Sequence, residues 1–112
     1  MDIATKLQLK GQAVRLIGVP PGLALDVPTT SGDSGALLVF AATKASLRPH
    51  ESLILAAAMA DRPTWVAYPK AGQLGTDLNR DILASHLVRK GIRPVRNVAL
   101  EDIWSALRFR PG

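Results

Sequence analysis

The side chains best placed to do chemistry fall in one short stretch, T-W-V-A-Y-P-K followed at once by A-G-Q-L-G-T-D-L-N-R-D, residues 64–81. It reads as a buried strand, a glycine-bearing loop and a capped helix start. In that order Lys70 leaves the strand end, Gly75 and Thr76 bring free N–H groups to the loop, and Arg80 lies at the helix start. Two cations, free N–H groups and the positive end of a helix dipole together suit an anion such as a phosphate. The plainer reading makes Thr76 and Asp77 simple caps, Lys70 a solvated charge and Arg80 a local partner of Asp77 or Asp81.

Trp104 and Arg108 are four residues apart and share one face if they lie on a strand. An aromatic plane beside a guanidinium can stack a base or grip an acidic group. As a plain packing pair, Trp104 anchors the core and Arg108 lies along it. The two histidines, His50 and His86, have no Cys, Asp or Glu at ligand spacing, so no metal site is assigned. Glu101 and Asp102 are adjacent, which does not suit a general acid–base pair. Ser31, Ser34 and Ser105 lack a nucleophile-elbow context, and no phosphate-loop or zinc pattern occurs. No residue is assigned a catalytic role.

Several elements must position these groups. Residues 12–19, Q-A-V-R-L-I-G-V, read as a strand that P-P-G ends at 20–22. Residues 23–35 are rich in turn formers and read as one short helical turn or loop, then open loop. The run A-L-L-V-F-A-A, residues 36–42, is continuously apolar, which suits a strand covered on both faces. Residues 46–60 read as a helix with Pro49 in its first turn. Its second half, S-L-I-L-A-A-A-M-A at 52–60, is apolar nearly all round and could pack on a second copy. Residues 64–68 give a third strand, 76–90 a helix stopped by Gly91, and 94–100 and 102–110 two alternating strands in a tight hairpin. Strands alternating with helices predict an α/β fold: a small three-layer sandwich on a mainly parallel sheet, closed by a C-terminal antiparallel strand.

With 112 residues, the chain reads as a single domain spanning 1–112. There are no cysteines, which excludes disulfides and thiolate metal sites. The start, M-D-I-A-T-K-L-Q-L-K, lacks the apolar core of a signal peptide, and a cytoplasmic protein is the default expectation. Net charge is +5, and the excess sits in the second half: residues 62–112 hold nine basic and four acidic side chains, residues 1–61 five of each. Such a field draws anionic partners, nucleic acid among them, through Arg80, Arg93, Arg96, Arg108 and Arg110. It also serves solubility alone.

The ordered set Y-P-K (68–70), T-D-L-N-R-D (76–81), G-I-R-P-V (91–95) and D-I-W-S-A-L-R-F (102–109) resembles a group of small uncharacterised bacterial proteins. In those a W/Y-P-K strand end, a T-D-L helix start and a W-S-(A/G)-L closing strand recur. The likeness covers residues 36–110. The group is similar to a shortened class I methyltransferase domain of Rossmann-like form. That resemblance implies that strands 12–19, 36–42 and 64–68 are parallel neighbours. It also implies that the last strand, 104–110, inserts antiparallel between 64–68 and 95–100. S-adenosylmethionine is the cofactor that resemblance implies, with Gly18 and Gly22 nearest to it, while the chain's own residues assign no cofactor.

The turn after the first strand, I-G-V-P-P-G, carries two prolines, which remove donors and stiffen it. No strand ending in an acid is evident between Gly22 and Gly35. The leading expectation is therefore a non-catalytic binding or interaction module, a possible homodimer through residues 52–60 or a sheet edge. It takes an anionic small ligand at the carboxyl ends of the strands through Lys70, Gly75, Thr76, Arg80, Trp104 and Arg108. An S-adenosylmethionine-dependent enzyme and a nucleic-acid binder are the two alternatives.

Overall fold

A computed structural model describes residues 2–112. In chain order its elements are α1 (Ile3–Lys6), β1 (Val14–Ile17), β2 (Ala36–Phe40), α2 (Lys44–Leu47), α3 (Glu51–Met59), β3 (Thr64–Pro69), α4 (Arg80–Val88), β4 (Ile92–Ala99) and β5 (Trp104–Pro111). Among the described residues the strands form one mixed sheet in the order β1-β2-β3-β5-β4. The β1–β2 and β2–β3 ladders are parallel, and β5 runs antiparallel to both β3 and β4. By ladder, then, the sheet is mixed rather than mainly parallel. The closing strand does insert between the third and fourth, as the resemblance implies.

The continuously apolar runs occupy the middle of the sheet because both of their faces are covered. Every residue of β2 and β3 is buried. Leu37, Val39, Val66, Leu107 and Phe109 meet Ile54, Ala57 and Ala58 of α3 and Leu83 and Leu87 of α4 on one face. Both helical crossovers advance the same way across the sheet, and right-handed connections then put both helices on that face. On the opposite face Leu38, Phe40, Trp65, Ala67 and Ala106 pack beneath Leu7 and Leu9, with Leu23, Leu25 and Val27 alongside. That second covering layer is one short helix and a loop, not the helical layer of a full sandwich. The Trp65 indole donates to the Leu7 carbonyl at 3.0 Å and pins the N-terminal segment in place.

Local chemistry moved several boundaries. The helix expected over 46–60 is divided. Thr43 and Ser46 form a reciprocal capping box that starts α2, a 3₁₀ turn at Arg48–His50 carries Pro49, and α3 follows. Ala57 and Ala58 are spent on the sheet, while Ser52, Ala56 and Met59 stay exposed. The helix expected from Thr76 begins at Arg80, capped by Asn79, whose side chain accepts from Ile82 N–H at 2.8 Å. The tight hairpin is a longer turn, in which the Glu101 carboxylate accepts from the N–H groups of Ile103 and Trp104, both at 2.6 Å. The loop expected at 23–35 returns to the outer edge of β1, where Val14 bridges Thr29. No helix of the described residues is long and apolar enough to cross a membrane.

Candidate functional site

Lys70 follows the last residue of β3 and is half-buried, its N–H held by the Ile103 carbonyl at 2.7 Å. The chain then turns tightly: Gly72, Leu74 and Gly75 all take positive φ, at 78°, 55° and 61°. That reversal returns it to the sheet, and α4 begins with Arg80 beside Lys70. Both side chains line a cleft of about 360 Å³ together with Tyr68, Asn79, Asp81 and Ser105. Its volume is at the small end of the range for ligand pockets. Asn79 satisfies only one first-turn N–H, so those of Arg80 and Asp81 have no intrahelical partner and sit at the positive helix end. The Asp81 carboxylate lies 3.4 Å from Arg80 Nε, an exposed pair that holds the guanidinium only loosely.

The floor of this cleft is a cross-strand pair, Tyr68 on β3 opposite Ser105 on β5. The Tyr68 hydroxyl donates to Asn97 Oδ1 of β4 at 2.8 Å. Burial pushes its phenol above the ordinary range, and hydrogen bonds to Asn97 and Ser105 act the other way. Sequence reasoning missed Tyr68, Asn97 and Ser105 as a group because they come from three strands. The one available clue was Tyr68 lying two residues before Lys70 and therefore on the same face.

The remaining expected residues divide. Thr76 does not cap α4. Its hydroxyl donates to the Ala42 carbonyl at 2.6 Å and accepts from Leu78 N–H at 2.9 Å, tying the loop to the end of β2. Asp77 accepts from Lys44 N–H at 2.8 Å and serves α2 instead of α4. Gly75 belongs to the turn and faces open space. Trp104 and Arg108 share a face, but it is the one opposite the cleft. Trp104 is buried edge-on against Phe40, with ring centres 5.2 Å apart at 76°, which is the packing role. Gly18 ends β1 at φ 72°, and a Cβ there would meet the Phe40 carbonyl oxygen at 2.9 Å. Gly22, at φ 81°, faces open space. The end of β1 and the end of β3 are separated by β2, and the Lys70 cleft is lined by neither Gly18 nor Gly22.

A second cavity, of about 450 Å³, runs along α4 from Asp81 to Arg89, against α2. Leu47, Leu78 and Ile82 form its apolar part, and Lys44, Arg48 and Arg89 its basic rim. His86 and Glu51, paired side by side, bridge α4 and α3 next to it. No sequence motif marked it, because α2 and α4 come together through contacts between distant segments, the Asp77 cap and the shared core among them. Among the described residues no group of three or more His, Cys, Asp or Glu could hold a metal ion. Comparison with known proteins finds no matching family, no matching curated relative and no matching solved structure.

Proposed function

We propose that this chain is a Rossmann-like, non-catalytic binding domain that takes a small anionic ligand in the cleft between the end of β3 and the start of α4. One observation carries the reading: Lys70 and Arg80, far enough apart in sequence to have gone separate ways, line the same cavity. Lys70 supplies a point charge from a half-buried base and Arg80 a fork of donors from the rim. The Ser105 hydroxyl and the first-turn N–H groups of α4 add neutral donors. Three parallel strands, β1 to β3, with α3 crossing between the last two, support the Rossmann-like kinship. The carboxylate of Asp81 at the mouth disfavours highly charged ligands and leaves a single phosphate or carboxylate group as the best fit.

A thermal-shift panel tests this, run with inorganic phosphate, nucleoside mono- and diphosphates and S-adenosyl compounds. A ligand present at a hundredfold its Kd adds about 2.7 kcal/mol to the stability. For a domain of this size that raises Tm by roughly 10 °C. The Lys70→Ala/Arg80→Ala double variant removes no buried hydrogen bond or core contact, so it should melt within about 2 °C of wild type and should lose the ligand shift. A panel in which no compound raises the wild-type Tm refutes the reading. A response to S-adenosyl compounds that survives the double variant moves the site elsewhere and favours the enzyme alternative.

A further inference from the structure

At the far side of the sheet, away from the cleft, four arginines converge. Arg93 of β4 stands directly opposite Arg110 of β5, and Arg96 directly opposite Arg108. Arg93 and Arg96 are three apart, which in a regular strand would put them on opposite faces. A register shift between Pro94 and Arg96 absorbs the odd residue, Val95, and returns both to one face. Arg108 and Arg110 share that face by ordinary alternation. Arg93, Arg96 and Arg110 are exposed and Arg108 is half-buried.

Like charges facing each other across two strands destabilise a sheet. Among the described residues one carboxylate relieves them: Asp61 takes Arg110 through two contacts of 3.1 Å. Arg93 donates to the Pro111 carbonyl, and Arg108 Nη1 donates to the neutral Gln8 Oε1 at 2.6 Å. Arg108 Nε is buried without a partner. Three positive charges, those of Arg93, Arg96 and Arg108, therefore stay without a carboxylate partner on one face of the sheet. Charges on edge strands do guard against strand pairing. That role explains Arg93 and Arg96 but not Arg108 and Arg110, since β5 lies inside the sheet.

We infer that this four-arginine face binds the sugar–phosphate backbone of a nucleic acid, independently of the cleft at Lys70. Arginine donors match phosphate oxygens; Arg93 and Arg96 present theirs from the exposed edge strand, and the charges of Arg108 and Arg110 behind them extend the positive field along a linear polyanion. The centre of a protein–protein patch is depleted in charge and built on apolar anchors. Here the centre is charged, and Val95 is the one large exposed apolar side chain on either strand. The exposed large apolar residues include no aromatic ring for a base to stack on, so contacts stop at the backbone and carry no sequence preference.

Fluorescence anisotropy of a short labelled DNA duplex, titrated over a range of salt concentrations, tests the inference. Contacts by Arg93, Arg96 and Arg108 predict a slope of log K against log salt of roughly −3, and Arg93→Gln/Arg96→Gln should reduce it to roughly −1. That variant relieves two facing like-charge pairs, so its Tm should not fall, and its folding can be checked in the same sample. Lys70→Ala/Arg80→Ala should leave the slope unchanged, which separates this surface from the cleft. The inference is overturned by absence of duplex binding at low salt, by a slope insensitive to Arg93→Gln/Arg96→Gln, or by poly-glutamate displacing the duplex as well as unlabelled duplex does.

Discussion

Replacing Gly18 and Gly22 separately by alanine tells a structural glycine from a ligand-approach glycine. Both residues hold positive φ, where alanine costs about 1–2 kcal/mol, partly offset by about 0.4–1 kcal/mol from a stiffer unfolded chain. At Gly22 nothing lies within 4 Å of the added Cβ, so the cost ends there, below about 1.5 kcal/mol. At Gly18 the new Cβ would sit 2.9 Å from the Phe40 carbonyl oxygen, a backbone atom fixed in the sheet. Relief means moving the end of β1 from β2, and overpacking of that kind costs about 1–3 kcal/mol more. Gly18→Ala should therefore lose about 2–4 kcal/mol, or roughly 8–16 °C of Tm, against less than about 6 °C for Gly22→Ala. Thermal and urea unfolding followed by circular dichroism measure both. Equal, small losses for the two variants would refute the close-approach argument. So would an unchanged Tm for Gly18→Ala with ligand response abolished, since the glycine would then serve a cofactor.

Two further predictions concern protons. Tyr68 is the only tyrosine, so phenolate absorbance reads it alone, and its midpoint should lie above 10.0 because burial disfavours the charged form. Its raised folded value means stability is full below 10.0 and falls as pH rises past it; Tyr68→Phe should flatten that fall and cost about 0.5–1.5 kcal/mol at neutral pH. Asp61 is held below its ordinary 3.8 by the hydrogen bond from Arg110, so its contribution is present above 3.8 and lost as pH drops through the lower folded value. Asp61→Asn should show a shallower decline of Tm in that acid window, and an unchanged decline would mean that the pair does not form in solution.

The central strands were legible because β2 and β3 are continuous apolar runs, and that pattern has one good solution in a two-faced sheet. The direction and place of β5 followed from the resemblance and the short connector to β4. What stayed hidden depended on contacts between distant segments. Thr76 and Asn79 are both good cap residues, and only the pull of the Ala42 carbonyl on Thr76 decides between them. Asp77 looks like a dipole partner for its own helix, yet its carboxylate reaches the start of α2. The shared face of Arg93 and Arg96 contradicts strand parity, and the sole local sign was Pro94, a residue tolerated on edge strands and at bulges.

The strand order also explains why the cleft lies where it does. From β1 through β2 and β3 to β4 the chain advances across the sheet without reversing; the connection after β1 packs on one face through Leu23, Leu25 and Val27, and those after β2 and β3 on the other through α3 and α4, so no change of face falls at the tip of β3. The carboxyl end of β2 is closed further by the loop tied to it through Thr76 and Asp77. An opening survives at β3 because its neighbour there is β5, which runs the other way. The tip of β3 therefore meets the beginning of β5, where the Ile103 carbonyl of the hairpin turn holds the Lys70 N–H. Side chains at the two ends, Tyr68 and Ser105, remain as a floor while Lys70 and Arg80 rise beside them. An antiparallel strand inserted beside a parallel one thus does here what a reversal of winding does in a doubly wound sheet. It leaves a strand end uncovered, next to a helix start, with polar groups from both sides directed at one space.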